Sequence, residues 1–230
     1  LTALYETGHP WITFKDPSNI RYSNKHEGVV HSSNLCTEIL LHTKPTEYDE
    51  GDIVEVGETA VCNLASINLS SHLKVRTIDW KKLQKTIEVA VRGLDNVINL
   101  NFYPTKEAKK SNLRHRPVGL GIMGTHDVLH KLGIPYNSQD AVVLCGKIQQ
   151  FISLHAIKTS ALLAKEKGAY PSFEGSEWDK GNFPIDTYCD LMNQRHSLRP
   201  ENVYKRVDFE SFEDEWEEVR ELVRKHGMRN

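Results

Sequence analysis

Two long helical patterns, set among strand-like stretches, restrict what this chain can fold into. Apolar residues recur at spacings of three and four from Trp80 to about Leu100, which predicts an amphipathic helix with Asp79 as its N-cap. A second long helix is predicted from Ser138, its N-cap, to Gly168, a typical C-terminal stop. Strand-like stretches alternate with these helices along the chain. The alternation predicts an α/β architecture.

The remaining segments predict shorter elements. The first eight residues indicate the end of a helix, residues 11–16 alternate like a short strand, and residues 17–28 indicate a loop. Residues 59–69 are strand-rich, and Ser211 is a candidate cap for a last helix with an apolar stripe. The stripe consists of Phe212, Trp216, Val219 and Val223. Because the chain begins inside an element and stops just after a helix, we expect it to be a segment of a larger protein.

Composition excludes several functional classes. With 230 residues, of which 39% are hydrophobic, the chain is long enough for one core, and we treat residues 1–230 as a single unit. Its net charge of −2 gives no indication of a nucleic acid or an anionic membrane as partner. No apolar run is long enough to span a bilayer. The four cysteines form no CxxC pair, which disfavours a structural zinc site and favours a reducing, cytoplasmic setting.

The stretch "SSNLCTEIL", residues 32–40, carries the most reactive set of side chains. Asn34, Cys36 and Glu38 are each two residues apart. In an extended segment they would share one face, so we expect an amide, a thiol and a carboxylate to point the same way. The amide can anchor a ligand, the thiol can act as nucleophile or radical carrier, and the carboxylate can act as base. A half-exposed strand with a polar face is the alternative interpretation.

Three other features have ordinary structural interpretations. Gly119, Gly121 and Gly124 match a dinucleotide-binding spacing, but a very polar segment precedes them, which favours close backbone packing instead. His126 and His130 are four apart on a predicted helix, where a solvated face is favoured over a metal site. Cysteines 145 and 189 are expected to pack in apolar surroundings.

Five motifs, taken in order, resemble one enzyme family. They are "SSNLCTEI", "ETAVCNLASINL", "NFYPTKEAKKSNLRHRPVGLGIMG", "LAKEKGAY" and "HGMRN". Their series resembles the large, catalytic subunit of ribonucleotide reductase, in particular the aerobic class I form. The resemblance implies part of a ten-stranded α/β barrel, in which a central finger loop carries a radical-bearing cysteine.

The resemblance also implies roles for individual residues. Cys36 would carry the thiyl radical that removes hydrogen from the 3′ carbon of a ribonucleotide, with Glu38 as general base and Asn34 holding the substrate hydroxyls. Cys62 would be one of two thiols that reduce the 2′ position and become a disulfide. Its partner thiol is expected outside this chain. Ser33 and Leu35 would complete the substrate contacts.

The implied partners lie outside the chain. A small subunit with a diiron–tyrosyl or related metal centre would supply the radical, so no cofactor or metal is expected on this chain. The implied partners also include the ribonucleoside diphosphate substrate, the remaining segments of the large subunit, thioredoxin or glutaredoxin, and a second large subunit. The nucleotide effectors ATP, dATP and dNTPs would bind mostly elsewhere. We expect the isolated chain to be inactive.

Two alternatives remain open. A reductase that uses adenosylcobalamin has a related barrel, although residues 101–124 are more similar to class I. A non-catalytic remnant with a structural role is the other alternative, and the presence of all four candidate residues, Asn34, Cys36, Glu38 and Cys62, argues against it.

Overall fold

The computed structural model describes residues 1–187 and 212–230 of the chain. This part contains both helices and strands, as the predicted α/β class requires, but they come in groups and do not alternate: two helices, five short strands, two helices, one strand and three helices. The helices are α1 (Thr2–Thr7), α2 (Lys15–Arg21), α3 (Trp80–Leu100), α4 (Lys106–His115), α5 (Thr125–Leu132), α6 (Gln139–Lys167) and α7 (Glu213–His226). The strands are β1 (Glu47–Asp49), β2 (Asp52–Glu55), β3 (Asn63–Asn68), β4 (Leu73–Lys74), β5 (Thr77–Ile78) and β6 (Val118–Met123), and a 3₁₀ turn spans Leu69–His72.

The two long helices have the predicted bounds because their caps are local signals. The Asp79 carboxylate accepts a hydrogen bond from the Lys82 amide at 3.1 Å, at the start of α3. The Ser138 hydroxyl accepts one from the Ala141 amide at 3.2 Å, at the start of α6, and Gly168 follows its last residue. Each cap satisfies a backbone donor that the first turn leaves free.

The main core lies between α3, α6 and the strand pair β3–β6. The apolar stripe of α3 is buried, as its spacing predicts, and Leu83 and Ile87 are fully inaccessible. It packs against Ile67 of β3 and against Ile148 and Ile152 of α6. A second cluster joins the other part of α6 to α7, whose Trp216, Val219 and Val223 are buried. This outcome confirms the predicted stripe of the last helix.

Strands β3 and β6 are parallel neighbours in register from Asn63 opposite Val118 to Asn68 opposite Met123. The connection between them contains α3 and α4, as a parallel crossover requires. In the described ranges the strands form three two-stranded sheets, β1–β2, β3–β6 and β4–β5. The β3–β6 pair positions the candidate site described below.

The sequence interpretation was wrong near the N-terminus. Residues 11–14 form no strand, and α2 occupies part of the predicted loop. Pro17 is the third residue of α2, in the first turn, where the amide that proline lacks needs no intrahelical partner. The predicted Ser211 cap and Cys189 lie outside the described residues. Within the described residues, no helix is both long and apolar enough to cross a membrane.

Candidate active site

Residues 34–37 form a turn, and the expected extended segment is not present. The Thr37 amide donates to the Asn34 carbonyl at 3.2 Å, and Thr37 has a left-handed φ of 65°. The Asn34 side-chain oxygen accepts from the Ile39 amide at 3.1 Å, and the Ser33 hydroxyl donates to the Ile39 carbonyl at 2.8 Å. These side chains compete with strand pairing for the backbone groups, which explains the turn. The expected alternation of Asn34, Cys36 and Glu38 on one strand face is therefore wrong.

The turn projects from the surface of the described part. Asn34, Leu35, Cys36 and Glu38 are all exposed, with Leu35 87% exposed, whereas Ser33 at the base is half-buried. Because the Asn34 side-chain oxygen is used to close the turn, its NH2 group is the part that can donate to a ligand. The turn thus presents an amide, a thiol and a carboxylate to whatever lies above it.

Glu38 and Cys62 line one cleft of about 540 Å³. The walls are the chain after the turn, the start of β3 and the start of β6, and they comprise Glu38–Leu41, Cys62, Leu64–Ser66 and Pro117–Gly121. Burial raises the pKa of the half-buried Cys62 thiol to about 11, and the charge of Glu38 adds to this effect. The thiol is therefore protonated at neutral pH and can serve as a hydrogen donor. Asn34 and Cys36 lie outside this lining.

Gly119 keeps the space beside the Cys62 thiol open. A Cβ atom at Gly119 would lie 2.4 Å from Leu64 Cδ2 and 3.7 Å from the Cys62 sulfur. Gly124, with φ 78°, is the N-cap of α5 in a left-handed conformation that favours glycine. The glycine motif thus serves packing and a turn, as the sequence interpretation favoured. His126 and His130 lie on the exposed face of α5.

A buried polar cluster behind the cleft escaped sequence reasoning. The Glu58 side chain lies between the imidazoles of His42 and His115, at 3.0 and 2.7 Å from their Nε2 atoms. Its signal in the sequence was weak, because the three residues are far apart along the chain and each is common in a polar loop.

The same cluster contains residue types that bind metals. Ligand atoms of Glu27, His42 and His115 lie within 4.8 Å of one another. However, all four ring nitrogens already have protein partners, and the Glu27 carboxylate is paired with Lys44 at 3.2 Å and Arg114 at 2.8 Å. A metal ion would have to break these contacts and bind next to two cations. We therefore assign the cluster to internal hydrogen bonding.

The sequence is similar to known proteins along its whole length. Residues 1–230 match the sequence pattern of a family described as "Ribonucleotide reductase, barrel domain". The chain is 52% identical over 230 residues to the "Ribonucleoside-diphosphate reductase subunit alpha" of Chlamydia trachomatis, and covers 20% of its length. It is 36% identical over 275 residues to the Helicobacter pylori protein of that name, covering 33% of it, and 34% identical to the "large chain" of Schizosaccharomyces pombe, covering 25%. The chain therefore spans a fifth to a third of the length of these relatives.

Proposed function

Because the chain belongs to the ribonucleotide reductase barrel-domain family, we propose that it supplies catalytic groups of a ribonucleoside-diphosphate reductase large subunit. The observation that carries the proposal is the shared cleft of Glu38 and Cys62 beneath an exposed turn that bears Asn34 and Cys36. These are the residue types and positions at which the family resemblance implies catalysis.

The proposed chemistry assigns one task to each side chain. A thiyl radical at Cys36 takes the hydrogen from the 3′ carbon of the ribose, and Glu38 accepts the proton of the 3′ hydroxyl as the 2′ hydroxyl leaves as water. Asn34 donates from its amide to a substrate hydroxyl, with Ser33 and Leu35 at the same turn. Cys62 and a second thiol outside this chain give up two hydrogens, one to the departing water and one to the 2′ carbon, and end as a disulfide. Glu38 returns its proton to the 3′ oxygen, and Cys36 returns its hydrogen to the 3′ carbon, which regenerates the thiyl radical.

The proposal explains why the turn is exposed in this chain. A radical step must exclude water, and the exposed turn does not provide that exclusion alone. We propose that the rest of the large subunit encloses the turn. The radical would come from a separate small subunit with a diiron–tyrosyl or related centre, and thioredoxin or glutaredoxin would reduce the disulfide in the cytoplasm. A large-subunit dimer and nucleotide effectors bound mostly elsewhere complete the proposal.

The deciding experiment replaces the proposed radical thiol in the full-length protein assayed with its small subunit. Cys36→Ser is expected to abolish reduction of ribonucleoside diphosphates, because a hydroxyl cannot take the place of the thiyl radical. Cys145→Ser on α6 is the matched control, since Cys145 is also a free thiol with accessible surface but belongs neither to the turn nor to the cleft lining, and the rate of this variant should stay within about twofold of the parent rate.

The outcomes also separate the alternatives. Reductase activity that survives Cys36→Ser would show that this segment is a non-catalytic remnant. Activity in the parent protein that requires adenosylcobalamin and no small subunit would assign it to the other reductase class.

A further inference from the structure

Glu58 is a fully buried carboxylate that accepts hydrogen bonds from three side chains. Its Oε2 atom accepts from Nε2 of His42 at 3.0 Å and from Nε2 of His115 at 2.7 Å, while Oε1 accepts from Arg114 at 3.0 Å. Only 1% of Glu58 is exposed. A buried carboxylate is costly unless it is paired and hydrogen-bonded, and here one cation and two imidazoles meet that requirement.

The ionised Glu58 carboxylate can only accept, so it places the ring proton of each imidazole on Nε2, and a hydroxyl lies next to each Nδ1 atom. Tyr22 lies with its hydroxyl 2.6 Å from Nδ1 of His42, and Ser172 lies with its hydroxyl 2.6 Å from Nδ1 of His115. A hydroxyl that donates to Nδ1 leaves the ring proton on Nε2, where it can be donated to Glu58. Burial lowers the pKa of both histidines, so two neutral rings donate to one charged carboxylate at neutral pH.

The three members of this cluster come from the three segments that line the cleft. His42 directly follows Leu41, the last lining residue after the turn. Glu58 lies four residues before Cys62, on the chain that enters β3. His115 ends α4, just before the lining residues that begin at Pro117. One carboxylate therefore ties together every wall of the cleft.

Packing holds the cluster in place. The His42 and His115 rings meet edge to face, with centroids 4.7 Å apart. A Cβ atom at Gly28 would lie 2.9 Å from Cδ2 of His42, so the chain closes over this ring only because residue 28 has no side chain. The ring of His42 consequently has little room to leave Glu58.

We infer that Glu58 is a positioning residue, which through His42 and His115 fixes the distance between the Glu38 carboxylate and the Cys62 thiol. Only the expected effect of Glu58 on turnover rests on the proposed function. The geometry itself is a property of the fold and can be measured without turnover.

The test uses the charge of Glu38 as a distance probe in the full-length protein. At a pH well below the pKa of Cys62, the rate at which iodoacetamide alkylates this thiol is proportional to the fraction of it present as thiolate. Measurements at about pH 8.5 therefore suffice. Removing the nearby negative charge with Glu38→Gln should raise that rate, as read by mass spectrometry of the Cys62 peptide. The ratio of the two rates reports how strongly Glu38 acts on Cys62.

This ratio is then measured again in a Glu58→Gln background. Glutamine has the shape of Glu58 but carries no charge and has an NH2 group in place of one oxygen. Because both rings donate to Oε2 and Arg114 donates to Oε1, that NH2 group faces either both rings or Arg114, and the cluster loses its charge and at least one hydrogen bond. We expect the ratio to fall towards one. Glu166→Gln is the matched control, since Glu166 is exposed and paired with Arg92 at 2.7 Å, and it should leave the ratio at the parent value. An unchanged ratio in the Glu58→Gln background would overturn the inference.

Two further measurements make the result decisive. If Glu58→Gln does not fold, His42→Gln is used instead, because it changes only the hydrogen bond between Glu58 and the segment that carries Glu38. An unchanged ratio of alkylation rates in the His42→Gln background likewise overturns the inference. In the assembled reductase, Glu58→Gln should also reduce turnover about ten- to a hundredfold, the effect of displacing a reacting group by about 1 Å. Absence of turnover in the parent would count against the proposed function alone, because the alkylation ratio does not depend on it.

Discussion

Asp95 is a second buried carboxylate, and it holds distant parts of the chain together. It is inaccessible to solvent and pairs with Arg116 at 2.5 Å, Lys167 at 2.8 Å and Arg229 at 3.0 Å. Asn230 also donates to it at 3.2 Å. These contacts join α3 to the residue before Pro117, to the end of α6 and to the residues after α7.

Replacing Asp95 should destabilise the fold and change its response to acid. Asp95→Asn leaves the buried Arg116 and the partly exposed Lys167 and Arg229 without their counter-charge, and we expect a loss of about 3–5 kcal/mol in the free energy of unfolding. Burial alone would raise the pKa of Asp95, but Lys167 and Arg116 outweigh it and lower the pKa from 3.8 to about 2. The stabilisation is therefore present above about pH 4 and is lost as the pH falls towards 2. Urea unfolding between pH 7 and pH 2 measures both effects.

The control for this prediction is Asp49→Asn, at an exposed position of β1. It should change the free energy of unfolding by no more than about 0.5 kcal/mol and should preserve the acid dependence of the parent. Equal losses in the two variants would contradict the role assigned to Asp95.

At the residue scale, the sequence identifies reactive side chains but not their neighbours. The spacing of α3 correctly predicts that Leu83, Ile87, Val91, Leu94 and Ile98 are buried. It gives no indication that Asp95 is buried with them, because its cationic partners follow much later in the chain. The turn at Asn34 was missed for a related reason, since the alternation of residue types is the same in a strand and in a turn closed by side chains.

At the element scale, predictions succeed where the signals are local. The bounds of α3 and α6 follow from capping residues and helical spacing within a few residues of each end. The pairing of β3 with β6 could not be read in this way, because the partners are separated by about fifty residues and two helices. Helix α2 was not predicted for a different reason. A helix of seven residues with no buried residue has too few apolar positions to show a helical period.

Two glycines, one on α3 and one in the segment between β2 and β3, predict opposite effects of the same substitution. Gly93 lies on the exposed face of α3, where an added Cβ atom would have no neighbour within 4 Å, so Gly93→Ala should stabilise the fold by about 0.5–1 kcal/mol through helix propensity. At Gly57 a Cβ atom would lie 2.4 Å from the carbonyl oxygen of Lys44. Gly57→Ala should therefore destabilise the fold, because backbone must move. Thermal unfolding of both variants beside the parent measures the difference, and a shift of the same sign in both would refute this argument.

At the scale of the whole molecule, the described core consists of two clusters that both include residues of α6, whereas the two N-terminal helices contribute to neither. Neither α1 nor α2 contains a buried residue, and Tyr5 and Phe14 are 92% and 73% exposed. Large exposed apolar side chains of this kind mark surfaces that pack against something else. Since the relatives are three to five times longer, we expect their additional segments to cover this region.

Hydrogen exchange should reveal this division when the chain is produced alone. Amides of α3 and α6 should exchange slowly, because both helices contribute to the main core. Amides of α1 and α2 should exchange close to the rate of an unfolded peptide. In the full-length protein we expect α1 and α2 to become protected, and equal protection in both samples would show that no other segment covers them.

The barrel itself lies beyond what the sequence can predict from its own patterns. Spacing and caps lead to an α/β architecture, and membership of the barrel-domain family comes from the resemblance. Closing a barrel requires strand pairings between distant segments, and the described residues contain one parallel pair, β3–β6.

The bonds at the base of the Asn34 turn have a consequence for how such a site can change over time. Ser33 and Asn34 close the loop with their own side chains, so its shape does not depend on a neighbouring strand. The side chains at the tip, such as that of Leu35, are therefore not needed to form the turn. Substitutions there can change what the loop contacts while its backbone shape is kept, so sequence variation in this short segment should cost little stability.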